Sequence, residues 1–277
     1  MMKSNLLNSL ILAALVVPGM AMAEEAAVTQ HKEDIHVIPA SEHTVTGNVS
    51  LVSDYLYRGI SQTGGKPAIQ GGFDYAHASG FYAGAWGSNI SWIPASSASL
   101  ELDTYFGFKN AFATDYSYDV GFLRYNYPGV YVPATTTTTK ADTNEIYGLI
   151  GWKWLTLKYS RSLGDTFGMT NASGTSYIDL SASYPVPNTG VTLGAHYGKQ
   201  TYKGSTADAL DAAGTSPTYS DYKLSASKDF SGYVVGLAYS STNATKGLGQ
   251  FNNAVLVDGS NIDNGKSTVV LSVTHSM

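Results

Sequence analysis

From residue 44 onward, apolar and polar residues alternate in short runs, separated by stretches rich in Gly, Ser, Thr, Asn and Asp. A period of two puts the apolar residues of each run on one face and the polar ones on the other, as in a half-buried β-strand. The stretch around 45–92 sets the pattern. Runs Val45–Arg58 and Ala68–Tyr75 flank a loop holding Gly59, Gly64, Gly65 and Pro67, and the tight break His77-Ala78-Ser79-Gly80 starts a third run. A Gly/Pro-broken loop followed by a tight reversal makes such runs antiparallel neighbours.

The rest of the chain repeats this unit, and twelve strands are predicted. They are Thr44–Tyr57, Ala68–Ala76, Phe81–Ser91, Ser99–Lys109, Tyr118–Tyr127, Asn144–Trp152, Leu155–Leu163, Ser176–Tyr184, Val191–Lys199, Tyr219–Lys228, Tyr233–Ser240 and Ser267–His275. Most run 9 to 11 residues, the length that a tilted strand needs to cross a bilayer.

The connections sort by parity. Those after odd strands are Arg58–Pro67, Trp92–Ala98, Pro128–Thr143, Gly164–Thr175, Gln200–Thr218 and Ser241–Lys266, and they are mostly long. Those after even strands are His77–Gly80, Asn110–Ser117, Lys153-Trp154, Pro185–Gly190 and Asp229–Gly232, and they are short. An even strand count with long and short loops in alternation belongs to outer-membrane barrels, with long loops outside and turns and termini in the periplasm. A soluble sandwich has no reason to sort its loops this way. Lys153-Trp154 lacks the Gly or Asn that a two-residue hairpin prefers. The predicted fold is all-β: a transmembrane antiparallel up-and-down β-barrel of twelve strands, over residues 44–277.

Charges assign the faces. In Leu100–Phe108, Leu100, Leu102, Thr104, Phe106 and Phe108 share one face, while Glu101, Asp103, Tyr105 and Lys109 share the other. Two carboxylates in hydrocarbon cost several kcal/mol, so the second face must look into the barrel. The same test sends Val49, Leu51 and Tyr55 outward and Asp54 and Arg58 inward. It also turns Asp74, Glu145, Lys158, Asp179, His196, Asp221 and Lys223 inward. Arg124, on an ambiguous strand, is placed inward because a lipid-facing Arg is costly near the midplane. The expected pore lining is thus Asp54, Arg58, Asp74, Glu101, Asp103, Arg124, Glu145, Lys158, Asp179, His196, Asp221 and Lys223. In the last strand Val269, Leu271, Val273, His275 and Met277 share a face, and Met277 stands where such barrels normally close with an aromatic residue.

Composition agrees. Tyr is abundant, with 20 against 9 Phe and 4 Trp, and charged residues make up 13%, about half the usual share. Tyr and Trp suit membrane interfaces. No apolar run of helix-spanning length follows residue 23.

The N-terminus carries Lys3, the apolar run Leu10–Val17, the breaker Pro18-Gly19 and Ala21-Met22-Ala23, which together read as a secretory signal peptide over 1–23, cleaved after Ala23. Without Lys3, 15 basic residues face 21 acidic ones, a balance of −6, which argues against a nucleic-acid partner. With no cysteine there is no disulfide scaffold.

Residues 24–43 read as a periplasmic tail or short lumen insert. His31, His36 and His43 stand there among Glu24, Glu25, Glu33, Asp34 and Glu42, at spacings that match no common metal-ligand pattern. No metal, cofactor or catalytic residue is expected.

The segment SDYLYRGISQTGGKPAIQGGFDYAHASGFYAGAWGSNISW, residues 53–92, resembles the signature of the TorF-type porins of Gram-negative bacteria. LELDTYFGF, DVGFLRYNYPG, WLTLKYSRSLGD, YIDLSASYPVP, VTLGAHYGKQ and TYSDYKLSASKDFSG extend the resemblance over Val45–Met277. It implies an outer-membrane barrel and a pore.

Three functions are weighed. The first is a passive channel for ions or small solutes. Seven inward acids (Asp54, Asp74, Glu101, Asp103, Glu145, Asp179, Asp221) against four bases (Arg58, Arg124, Lys158, Lys223) lean it toward cations. Its rival is a plugged barrel in which the same charges pair. The second is a membrane-embedded hydrolase, for which no spacing pairs a Ser with His77, His196 or His275. The third is an adhesin or receptor acting through loops such as Pro128–Thr143, with its Thr135–Thr139 run. Expected partners are outer-membrane lipid, the barrel-assembly machinery and small solutes or ions. The sequence assigns no oligomeric state.

Overall fold

The computed structural model describes residues 42–93, 96–131, 140–246, 254–257 and 260–277. Twelve strands form the wall: β1 (His43–Val52), β2 (Ala68–His77), β3 (Phe81–Asn89), β4 (Leu100–Ala113), β5 (Tyr116–Asn126), β6 (Thr143–Trp152), β7 (Leu155–Ser162), β8 (Ser176–Pro185), β9 (Val191–Thr201), β10 (Tyr219–Phe230), β11 (Tyr233–Thr242) and β12 (Thr268–Ser276). Each pairs antiparallel with its neighbours in sequence, and β1 also pairs with β12, with Asn48 opposite Ser276 and Val52 opposite Ser272. The sheet therefore closes and leaves no edge. A single short helix among the described residues, α1 (Ser205–Ala212), lies in the connection after β9.

Alternation decides which face each residue takes. Leu51, Ile69, Phe73, Phe106, Leu224 and Leu271 are exposed on the outer surface, while the intervening Ser50, Gln70, Asp74, Tyr105 and Ser272 are buried inside. A continuous apolar exterior over a polar interior is the surface of a barrel that spans lipid.

All twelve predicted strands are present, with three instructive differences. First, β1 stops at Val52, five residues short of the expected end. Beyond it, Leu56–Tyr57 pairs with Ile60–Ser61 in a small hairpin of its own. Second, β4 and β5 run on past their expected limits with a bulge near Ala111, so only Thr114-Asp115 separates them. Third, the unpromising turn at Lys153-Trp154 does join β6 to β7, and Lys153 takes a positive φ of 53° to make it. Left-handed backbone is what a tight hairpin needs, and here a lysine supplies it. The expected signal peptide, the tail apart from Glu42 and His43, and the Thr135–Thr139 run lie outside the described residues.

Inside, tyrosines tie strands together. Tyr105 on β4 donates to Asp74 on β2 at 2.6 Å. Tyr82 on β3 donates to Asp119 on β5 at 2.6 Å, and Tyr177 on β8 donates to Asp221 on β10 at 2.9 Å. Each bond skips one strand, so the ring must lie flat over the strand between. For Tyr177 that place is Gly198, where any Cβ would collide with the tyrosine hydroxyl.

Candidate functional site: a hairpin across the lumen

The connection after β1 turns into the barrel. Ser53 still bonds to β12 through its backbone, its N–H reaching Leu271 O at 2.9 Å. Then Tyr55, Leu56 and Tyr57 are buried among Trp86, Tyr105, Leu123 and Tyr125. Tyr55 therefore does not face lipid as the alternation suggested. The strand ends before it, and its ring meets Trp86 edge-on inside the lumen at 5.6 Å between centroids.

At the hairpin's tip sit Arg58 and Gly59, with φ of 48° and 76°. Two successive positive φ values are what a two-residue type I′ turn requires. Gly59 is also wedged against the wall, where a Cβ would lie 2.5 Å from that of Asp221. The hairpin is braced at its base by Asp54, which accepts from Ser61 Oγ at 2.5 Å and Thr63 Oγ1 at 3.0 Å. Burial raises the Asp54 carboxyl above its ordinary value, and these two hydroxyls offset part of that rise.

The turn delivers Arg58 to the far wall. Its Nη1 and Nη2 donate to Glu145 Oε1 and Oε2 on β6 at 3.1 and 2.8 Å. Nη1 also donates to Gln200 Oε1 on β9 at 2.8 Å. The guanidinium lies over the rings of Tyr177 at 4.3 Å and Tyr57 at 4.8 Å. The Tyr57 and Tyr125 hydroxyls meet at 2.6 Å. A segment leaving β1 is thus anchored on β5, β6 and β9, so it crosses the lumen rather than lining one wall. Phe167, from the connection after β7, packs on Tyr57 and Tyr125 beside it.

Next to this anchor lies an acidic group. Glu101 and Asp103 on β4 are each 1% exposed. Tyr55 donates to Glu101 Oε1 at 3.3 Å. Glu101 Oε2 and Asp103 Oδ1 meet no hydrogen-bond donor among the described residues. The interior nearer the short turns differs. There the inward side chains of Lys109, Asp119, Lys158, Ser181, Ser183 and Ser225 are partly accessible. Lys158 lies over the Tyr147 ring at 4.4 Å.

His196 joins two strands of this wall. Its Nε2 is 2.9 Å from Asp221 Oδ2, and its Nδ1 is 3.2 Å from Asp179 Oδ2. Ser181 Oγ lies 3.1 Å from His196 Nδ1 and donates to Asp179 at 2.6 Å. A Ser and a His are therefore side by side, which spacing alone did not reveal, because they are register partners on β8 and β9. A carboxylate oxygen lies within 3.2 Å of each ring nitrogen, so the imidazole is shared between two carboxylates as well as the serine.

Of the predicted lining, Asp54, Arg58, Asp74, Glu101, Asp103, Glu145, His196 and Asp221 are buried inside, and Lys158, Asp179 and Lys223 lie on the inner face with partial access. Arg124 is the correction. Leu123 and Tyr125 beside it are buried inward at 1% and 3% exposure, so Arg124 points outward. It sits two residues from the long-loop end of β5, where a lipid-face Arg costs about 0–1 kcal/mol rather than the midplane value. There it bonds Asn126, Asn144 and Asp142. Asp119 was missed, because Arg124 on the same strand has the opposite parity, and placing Arg124 inward turned Asp119 outward.

A family model described as "Bacterial protein of unknown function (Gcw_chp)" matches residues 36–277. No curated protein matches the chain. Among solved structures, a "KdgM porin in complex with disordered oligogalacturonate" is similar at 10% identity and TM-score 0.48, over 84% of this chain and 99% of that one. OprD of Pseudomonas aeruginosa is similar at 13% identity and TM-score 0.37, over 84% and 66%. OpdK of Pseudomonas aeruginosa, with vanillate, is similar at 12% identity and TM-score 0.40, over 87% and 67%.

Proposed function

The chain belongs to the bacterial family Gcw_chp, and from that premise we propose that it is a TorF-type porin of the outer membrane. It is exported by the signal over 1–23, inserted by the barrel-assembly machinery, and passes ions or small solutes. The observation that carries this reading is the hairpin pinned across the lumen by Arg58, above an inner half that solvent reaches. A barrel meant only as an anchor needs no such division. A segment folded in from an outer loop and held at its tip makes a constriction that sets what passes.

Its charges lean toward cations. Arg58 is already neutralised by Glu145, whereas Glu101 Oε2 and Asp103 Oδ1 have no donor among the described residues.

The plugged reading has its own support. Tyr127 and Phe167 are 0% exposed, and Trp86 is 1% exposed, so side chains fill much of the outer half. Planar-bilayer recording of the refolded chain separates the two. Discrete steps that grow when the Arg58 anchor is removed support a constricted channel. Silence both in the wild type and in a correctly folded hairpin-released variant sinks it.

A further inference from the structure

We propose that the short-turn rim of the barrel carries a divalent transition-metal site built from Glu42, His43 and His77, of a composition suited to Zn²⁺. His43 opens β1 and His77 closes β2, and the two are register partners. Their rings stand 5.1 Å apart between centroids. Ala78 N–H donates to Glu42 O at 2.9 Å, which draws Glu42 to the same rim. One ligand atom from each of the three lies within 4.8 Å of the others.

Two imidazoles and a carboxylate form a ligand set that Zn²⁺ takes readily, with a fourth position for water. Bonds of about 2.0–2.2 Å place tetrahedral ligand atoms about 3.4 Å apart. The side chains are exposed or half-buried, so rotation can close that gap and the ion can enter.

A second observation concerns how the rings are held. His43 Nδ1 lies 2.7 Å from the Tyr75 hydroxyl, and His77 Nδ1 lies 2.7 Å from Ser79 Oγ. The His43 contact is the one typical of metal-binding histidines, with the other ring nitrogen beside an oxygen that can accept from it. Ser79 N–H also reaches His77 Nδ1 at 3.1 Å. Ligation through Nε2 exchanges that bond for donation to Ser79 Oγ. The site is invisible to local spacing because His77 stands a full hairpin away from Glu42-His43. It is independent of whether the barrel conducts.

The test is a Zn²⁺ titration of the tag-free refolded chain at pH 7.5 against a chromogenic chelator. One equivalent should bind. Affinity should fall in His43→Ala and in His77→Ala by more than the roughly 10- to 100-fold that loss of a ligand's hydrogen-bond partner costs, and less in Glu42→Gln. The double variant His31→Ala/His36→Ala should bind as the wild type does. Heat-dependent gel mobility reports that every variant remains a folded barrel. The proposal is overturned if no stoichiometric binding occurs, if binding survives both single histidine variants, or if it is lost only in the His31/His36 pair.

Discussion

Arg58 and Glu145 face each other across the barrel interior, joined by two hydrogen bonds of 2.8 and 3.1 Å although 87 residues separate them in sequence. Their side chains are 5% and 2% exposed. Removing one partner leaves a buried charge uncompensated, which typically costs about 3–5 kcal/mol. Arg58→Ala should therefore lower the urea midpoint of the refolded barrel, and Glu145→Gln should do so less, because an amide still accepts from the guanidinium. Arg58→Lys should not restore stability, since an ammonium cannot make the paired contact. An unchanged midpoint in Arg58→Ala would show that the anchor contributes nothing.

Gly59→Ala tests the hairpin by geometry alone. A methyl there meets Asp221 at 2.5 Å and also sits on a positive φ, so the hairpin must leave its seat while the wall stays intact. A cysteine at Ser61, which is 4% exposed, should then react with a bulky maleimide much faster in Gly59→Ala than in the parent. Equal rates would mean that the hairpin is not seated as described.

Most of this fold was legible, and the reason is periodicity. Inside-outside alternation in a closed sheet is strict, so Glu101, Glu145, Asp179 and Asp221 each fixed the faces of a whole strand. Sequence reading failed where alternation and backbone part company. Ser53–Arg58 keeps alternating after the strand has ended, and Tyr55 was carried to the wrong face. Arg124 was placed by the cost of a midplane charge, but it lies at the rim, where that cost fades. The crossing hairpin could not be read at all. Arg58-Gly59 marks a turn, yet nothing local says that the turn points inward to Glu145 and Gln200.

Gly198→Ala should break the tie between β8 and β10. The added Cβ displaces the Tyr177 hydroxyl, which donates to Asp221 at 2.9 Å. An unsatisfied buried group costs about 1–3 kcal/mol. Gly148→Ala, with nothing within 4 Å of the new atom, is the matched control and should be near neutral. Urea midpoints of the two variants decide it. Similar midpoints would mean that the tyrosine moves aside at no cost.

Arg124→Ala should lower stability by less than about 1 kcal/mol, as for a partly exposed pair; its side chain and that of Asp142 are 41% and 16% exposed. Conductance and ion selectivity should not change, because the side chain is outside the lumen. A shift in reversal potential would return Arg124 to the pore.

Selectivity gives the sharpest test of the channel itself. The inner face carries Asp54, Asp74, Glu101, Asp103, Asp119, Glu145, Asp179 and Asp221 against Arg58, Lys109, Lys158 and Lys223. Half of these sit in pairs: Arg58 with Glu145, Tyr105 with Asp74, Tyr82 with Asp119, and His196 with Asp179 and Asp221. Counting all of them overstates the field that a passing ion feels. Glu101 and Asp103 are different in place, since both lie beside the hairpin and are each 1% exposed. Glu101→Gln combined with Asp103→Asn should therefore remove most of the proposed cation preference, seen as a reversal potential moving toward zero under a KCl gradient. Neutralising Asp74, which lies away from the hairpin toward the short-turn end of β2, should move it far less. If the two changes act equally, selectivity follows total charge and not the carboxylates beside the hairpin.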